Sequence, residues 1–405
     1  MNQQLPLTGI KVVEFSHMVM GPTAGLALAD LGAEVIKIEP VGAGDKTRYL
    51  PGSGAGYFPM FNRNKKSLAV DLKSEAGLDL VRDLINQADV VTENFRLGGL
   101  EAMGLGYDEL SKTNPGLVYL SMKGFLQGPY EHRAALDEVV QMMGGLAYMT
   151  GPPGQPLRAG TSVNDIMGGL FGAMAVMAAL FERTRTGRGQ LVRSSLFENN
   201  AFLVGQHMAQ YGVTGQAASP MPARLSAWAV YEVFDTRDEK IFIGVVSDTH
   251  WRAFCEAFGL EELAQDTTLA TNAQRVAARD RILPTIRARL AQLTRAEAAA
   301  LCETANLPFA PLQRPEDLFD DPHLAQPGAM PEVTLSNGQK LPLPALPIEM
   351  DGHRLGVRLD LPQPGQHSTD IAAELGYDPQ KVEDLVAAGV ISAPVTEQHP
   401  ASSRS

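Results

Sequence analysis

The stretch Lys11–Glu39, KVVEFSHMVMGPTAGLALADLGAEVIKIE, decides the fold class. Lys11–Phe15 is a short apolar run of strand length. Ser16–Gly25 turns the chain into a helix over Thr23–Leu31, which Gly32-Ala33 stops. Val35–Ile38 is the next strand and ends at Glu39-Pro40. Strand, helix and strand in this order predict a parallel sheet in an α/β protein, the kind of sheet that serves nucleotide-like ligands. Glu39 fits the acid that holds a ribose in a dinucleotide site. The Gly-x-Gly-x-x-Gly fingerprint is absent, however; the turn offers only Gly21 and Gly25, so that reading fails.

Outward from this unit the alternation continues. Gly42–Tyr57 is Gly-rich and reads as a loop, and Phe61–Ser67 (FNRNKKS) as a basic turn. Leu68–Leu72 is a strand and Ser74–Gln87 a helix capped by Ser74. Val90-Val91 begins a strand that runs into Glu93-Asn94-Phe95-Arg96. Tyr107–Thr113 is a short helix, Leu117–Met122 a strand followed by Lys123-Gly124-Phe125. Lys73, Asn94 and Lys123 each follow a strand, where open α/β sheets bind ligands; solvation of strand ends accounts for such residues equally well. Asp137 opens an apolar helix over Glu138–Met149.

Next comes the loop Ala159–Asp165 (AGTSVND) and the apolar segment Ile166–Leu180, which predicts a helix buried nearly all round. Asp165 stands at its N-terminus, where backbone N–H groups and the helix dipole favour the ionised form. Such a carboxylate is a helix cap or a nucleophile, and position alone favours the cap. A charged turn at 182–190, a strand over Leu191–Leu196 and a helix over Glu198–Gln210 follow.

Composition changes at Gly212–Ser226, rich in Gly, Ala, Ser and Pro, which marks a linker, placed at 212–228. Val230–Val246 reads as a hairpin, and Trp251–Phe258, Asn272–Leu293 and Arg295–Asn306 as helices, giving a smaller α+β domain over 229–325. Pro327–Met350 is Pro-rich and extended, Gly365–Val390 holds two short helices, and 398–405 reads as a disordered tail. At 405 residues two domains are expected. A net charge of −12 argues against nucleic acid and anionic membrane surfaces as partners. Cys255 and Cys302 match no metal or redox spacing and suit a reducing compartment. The N-terminus has no signal pattern, and the longest apolar run, about 16 residues with three glycines, is short for a membrane span. A soluble cytoplasmic protein is expected.

The motifs, in order, resemble family III CoA-transferases, the formyl-CoA transferase and carnitine CoA-transferase group. They are Leu7–Phe15, Gly21-Pro22, Leu31–Glu39, Asn62–Ser67, Asp71–Lys73, Glu93–Phe95, Met103–Tyr107, Lys123–Phe125, Asp165, Arg183–Gln190, Trp251, Pro308–Pro311 and Asp321–His323. The resemblance covers nearly the whole chain. It implies a Rossmann-like large domain built from 1–211, to which 326–397 returns, with the small domain between. It also implies an interlocked homodimer, with acyl-CoA and small carboxylates as substrates and neither metal nor other cofactor. Asp165 takes the family's nucleophile position, which reverses the cap reading.

Positions carried over for CoA binding are His17, Met18, Val19 and Met20; Val70, Leu72 and Lys73; Asn94, Phe95 and Arg96; Lys123; and Asp137. Formyl-CoA transferase has Gln at the Val19 position and Arg at the Pro40 and Ala102 positions. Arg96, Lys65 or Lys46 must therefore replace those nucleotide contacts. Pro220–Ser226 replaces the family's glycine-rich lid, and Arg224 within it is a candidate partner for a distal acid group of the substrate, or an exposed linker arginine. The implied function is transfer of CoA from an acyl-CoA donor, succinyl-CoA for preference, to a dicarboxylate or sulfinate analogue through an aspartyl-CoA thioester on Asp165. An α-methylacyl-CoA racemase would carry His at Leu136, and here His132 is four residues early. A non-catalytic CoA-binding relative would have no need of an intact Asp165.

Overall fold

The computed structural model describes residues 4–224 and 226–393. Its central sheet grows from the strand–helix–strand unit: β1 (Lys11–Phe15), α1 (Met20–Asp30) and β2 (Glu34–Glu39). Then come α2 (Tyr57–Phe61), β3 (Lys65–Ala69), α3 (Glu75–Asn86), β4 (Val90–Glu93), α4 (Tyr107–Thr113) and β5 (Val118–Lys123). They are followed by α5 (Asp137–Met143), α6 (Leu146–Thr150), α7 (Val163–Thr186), β6 (Leu191–Ser195) and α8 (Leu196–Thr214). Among the described residues, the six strands form one sheet in the order β3-β2-β1-β4-β5-β6, every pair parallel. All but the edge strand β6, where Arg193 is exposed, are buried on both faces, as parallel strands covered by helices are. One core layer packs Val13, Ile36, Leu68 and Val91 against α3 and the C-terminal helices; the other packs Val12, Val35, Val90 and Leu120 against α1 and α7. This is the mixed α/β architecture with a Rossmann-like sheet.

The chain divides into two compact units, residues 1–222 with 325–405, and 223–324. Within the first, residues 340–393 pair with the N-terminal strands. Asn64 Oδ1 accepts from the Arg358 and Leu359 N–H groups, Ser368 Oγ from Ala69 N–H, and Val70 bridges Ile391. The C-terminal part of this unit, from residue 325 on, holds β10 (Glu332–Thr334), β11 (Lys340–Pro342), β12 (Glu349–Met350), β13 (His353–Arg354), α14 (Ser368–Glu374) and α15 (Pro379–Ala387). The second unit packs a sheet of β7 (Val230–Asp235), β8 (Lys240–Val245) and β9 (Phe309–Pro311) against five helices. These are α9 (Asp248–Ala257), α10 (Glu261–Gln265), α11 (Asn272–Ala277), α12 (Arg279–Leu290) and α13 (Arg295–Thr304), around Phe234, Trp251, Phe254, Ile282 and Ile286.

Several sequence expectations are corrected. The basic turn at 61–67 is partly strand: Lys65–Ala69 pairs with β2, and the charges that disguised it are buried and paired. The helix expected over 138–149 breaks at Gly144-Gly145, where Gly145 has φ +86° and a Cβ on Gly144 would meet Asn200 Oδ1. Residues 212–214, assigned to the linker, are the last turn of α8, which Gly215 closes at φ +68°. Gly42–Tyr57 contains two 3₁₀ turns rather than plain loop. The 24-residue α7 is not buried all round: Leu170, Met174 and Phe181 form an exposed apolar stripe. The tail expected at 398–405 lies outside the described residues.

Candidate active site

Sheet order reverses between β1 and β4, and such a switch point leaves a crevice at the strand C-termini. Phe15 of β1 is registered against Glu93 of β4, so the segments that follow them meet. Asn94 bridges the backbone of His17: its Oδ1 accepts from the His17 N–H (3.1 Å) and its Nδ2 donates to the His17 carbonyl (2.9 Å). The Met18 N–H donates to Thr47 Oγ1 (3.0 Å). Together these bonds hold Met18 at φ +64°, a left-handed conformation that costs a non-glycine residue free energy. Phe95 lies against the His17 ring at 5.7 Å. Lys123, at the end of β5, donates to both Glu93 oxygens (2.6 Å each) and to the Phe95 carbonyl (2.7 Å).

His17, Met18, Asn94, Phe95 and Lys123 thus share one end of the sheet. Two of them are not free for a ligand: the Asn94 amide holds the β1–α1 turn, and Lys123 spends its three donors on protein oxygens. Arg96 and Lys73 are exposed, and their side chains make no hydrogen bond among the described residues. Val19 and Val70 are buried in apolar packing, and Leu72 packs on the first core layer. The expectation that Lys65 contacts a CoA phosphate is wrong. It is fully buried and donates to Glu14 Oε2 (2.8 Å) and the Pro22 carbonyl (2.9 Å).

Below the β1–α1 turn lies a buried charge network that the sequence reading did not identify. Lys37 pairs with Asp45 (3.0 Å) and Glu14 (3.7 Å) and donates to the Ser16 carbonyl (2.6 Å). Glu39 takes a two-point contact from Arg48 (2.8 and 2.7 Å) and a hydrogen bond from Ser67 (2.7 Å). Burial, the largest influence on Lys37, favours its neutral form, yet Glu14 and Asp45 outweigh it and hold the pKa above the usual lysine value. For Lys65 burial wins, and its pKa falls to about 8 despite Glu14. The signal was present: Lys37 interrupts the apolar run Val35-Ile36-Lys37-Ile38, and a charge inside a buried strand must be paired.

α7 delivers Asp165. Its glycines set the approach to α1: a Cβ on Gly169 would meet the Met20 carbonyl at 2.5 Å, and one on Gly168 the Met20 methyl at 2.4 Å. Ile166 packs near Val19. The first turn of α7 therefore sits against the start of α1, beside the crevice.

The helix is capped by Asp137, not by Asp165. Asp137 Oδ2 accepts from the Asn164 N–H (2.8 Å) and the Asp165 N–H (3.1 Å), and its Oδ1 accepts from Gln141. Gln141 Oε1 in turn accepts from the Ala159 N–H (2.7 Å), tying down the loop before α7. The Asp137–Gln141 spacing of one helical turn was legible; their reach across 27 residues was not.

Asp165 is half-buried, and its carboxylate accepts no hydrogen bond among the described residues. The expectation that the helix terminus favours its ionised form is overturned. Burial chiefly, then the charges of Asp137 and Glu138, push its pKa up to about 7, with Arg158 opposing. The N–H groups that would have stabilised the anion are spent on Asp137.

Arg224, in the second unit, lies over the Tyr231 ring at 5.8 Å.

The model of CoA-transferase family III matches residues 7–368. The succinyl-CoA:glutarate CoA-transferase of Mus musculus is 33% identical over 401 residues, covering 97% of this chain and 91% of the relative. The succinate–glutarate CoA-transferase of Agrobacterium fabrum is 35% identical over 387 residues, covering 92% and 96%. A CAIB/BAIF family crystal structure from Brucella suis superposes with a TM-score of 0.82 at 35% identity, covering 92% of this chain and all of that one. A match along this length, on the same fold, places the chain in CoA-transferase family III and makes it a CoA-transferase.

Proposed function

We propose that Asp165 is the nucleophile of a CoA-transferase that takes CoA from succinyl-CoA and delivers it to a small dicarboxylate or a sulfinate analogue. The observation that carries this is the state of the Asp165 carboxylate: half-buried, raised in pKa, without a hydrogen-bond partner and beside the crevice. A capping carboxylate would be satisfied by N–H groups; this one is left available, and a more basic carboxylate is a better nucleophile. The relatives' names supply the donor and the acid class.

Asp165 attacks the donor thioester carbonyl, forming a mixed anhydride and expelling CoA thiolate. The thiolate attacks the aspartyl carbonyl of that anhydride, which releases the donor acid and leaves an aspartyl-CoA thioester. The acceptor carboxylate then displaces the thiolate, forming a second anhydride. The thiolate takes the acceptor acyl group and Asp165 is regenerated. Each intermediate is hydrolysed by water, so the site must exclude it. CoA lies along the strand ends, with the exposed Arg96 and Lys73 as its phosphate contacts and the His17–Met18 turn against its reactive end.

The working form in this reading is an interlocked homodimer. Its support is the apolar stripe of α7 together with Phe202, Met208, Tyr211 and Val213 exposed on α8, more than a free monomer surface is expected to leave.

The test is incubation with succinyl-CoA and a mixture of small acids, followed by mass spectrometry of every CoA thioester. A new thioester from one acid, with succinate released and a CoA adduct trapped on Asp165, is the expected result. No transfer to any acid ends the reading.

A further inference from the structure

We infer that Arg158 is the receptor for the distal carboxylate of a dicarboxylic substrate, and that Glu138 occupies it until substrate arrives. The inference deepens the reading above and rests on it. Arg158 lies in the loop between α6 and α7, seven residues before Asp165. Its Nη1 donates to Glu138 Oε1 and its Nε to the Ala159 carbonyl (3.0 Å). Its Nη2 makes no hydrogen bond among the described residues, so half of the guanidinium fork is open.

The loop is registered to the nucleophile by a chain of hydrogen bonds. Ala159 N–H binds Gln141 (2.7 Å), Gln141 binds Asp137, and Asp137 binds the N–H groups of Asn164 and Asp165. Arg158 and Asp165 are therefore positioned by one frame, as the two ends of a short substrate require.

Charge supplies the second argument. The groups acting on Asp165 are the carboxylates of Asp137 and Glu138 and the single cation Arg158. A second substrate carboxylate brought into this acidic mouth needs a cation, and Arg158 is the one provided. Its present partner is easily displaced. The Arg158 and Glu138 side chains are 36% and 49% exposed, and a solvated pair is held weakly. A substrate carboxylate can take the planar fork in two-point fashion, sheltered by the bound acyl-CoA. Exposed Leu136 and Leu157 flank the pair on the same two segments and suit the methylene chain between the carboxylates.

The experiment compares glutarate with valerate as acceptors, reading the ratio of their kcat/KM with the full-length enzyme. Arg158→Gln should lower the glutarate-to-valerate ratio roughly 10- to 100-fold, chiefly through the glutarate KM, and Arg158→Lys should restore part of it. Glu138→Gln should raise the ratio, because the resting competitor is gone. A ratio unchanged within about twofold in Arg158→Gln, a ratio that falls in Glu138→Gln, or one that moves with Arg224→Ala instead overturns the inference. A wild-type enzyme that transfers CoA to no acid of the mixture defeats the reading beneath it, and one whose acceptor is another dicarboxylate is tested with that acid against its monocarboxylic analogue. One that turns over glutarate with a ratio blind to Arg158 defeats only this inference. Arg158→Lys keeps charge and packing, so the test survives a poorly folding Arg158→Gln.

Discussion

Two clusters of charge lie at the working end of this α/β unit, and they are built on opposite rules. Under the β1–α1 turn, Glu14, Lys37, Lys65, Asp45 and Glu39 are buried and Arg48 is partly so, and each is joined to a partner of opposite sign. At the mouth of α7, Asp165, Asp137 and Glu138 face one arginine. The first cluster satisfies its charges and fixes a strained turn. The second leaves one carboxylate unsatisfied, and that carboxylate has the raised pKa. Balanced charge makes scaffold here, and unbalanced charge leaves a carboxylate available for the proposed reaction.

The sharpest break of this contrast is Asp165→Ala, which should reduce transfer by about 10⁴-fold or more, since the proposed mechanism carries both the acyl and the CoA intermediates on this carboxylate. Retained turnover in a CoA-thioester assay would sink the assignment. In the scaffold, Lys37→Met should destabilise by about 3–5 kcal/mol, because Asp45 would be left buried without its cation and Glu14 with Lys65 alone. Urea unfolding measures this, and a loss under about 1 kcal/mol would mean that water or rearrangement already relieves the network.

Asp165→Asn should act in the other direction on stability. The carboxyl titrates near its ordinary value when unfolded and at about 7 when folded, so folding opposes its ionisation. The penalty is absent below pH 4, grows as pH rises and is complete above pH 7. Its upper bound of about 4 kcal/mol is reduced by the solvent that reaches a half-buried group. Asp165→Asn should therefore raise Tm at pH 8 and leave it unchanged at pH 3.5. An equal gain at both pH values would show that packing, not charge, is responsible.

The smallest effect concerns the neighbour. The rate of the first half-reaction, read as kcat/KM for the donor, should climb through about pH 7 as Asp165 ionises. Asp137→Asn should move that limb to lower pH by up to about one unit while keeping the cap acceptor. A stationary limb would show that burial alone sets the value.

The strand–helix alternation was legible because buried parallel strands and amphipathic helices write their periods into the chain, as Leu80, Val81, Leu84 and Ile85 on α3 illustrate. Lys65–Ala69 hid behind its lysines, since propensity cannot tell a solvated charge from one paired across three strands. The break in the α5–α6 segment hid because Gly144 answers to Asn200, a contact made only in three dimensions. Asp165 stood out by family resemblance, but its chemistry did not. The sequence reading gave it the helix N-terminus, and the fold assigns that terminus to Asp137, a residue 28 positions away. Whether a carboxylate is a cap or a reagent depends on which other carboxylate reaches the N–H groups first.

The glycine pair at 168–169 has a further consequence for how such an enzyme changes over time. Because Gly169 brings α7 onto the backbone of α1 at Met20 and Ala24, the placement of Asp165 rests largely on the two helix backbones. The loop carrying Leu157 and Arg158 is joined to that frame by a few hydrogen bonds. If Asp165 and Arg158 act as proposed, substitutions there redraw the acid that is accepted while the attacking oxygen stays where it is. In that reading acceptor preference drifts residue by residue, whereas adding one methyl group at Gly169 would force the two helices apart and misplace Asp165 for every substrate at once.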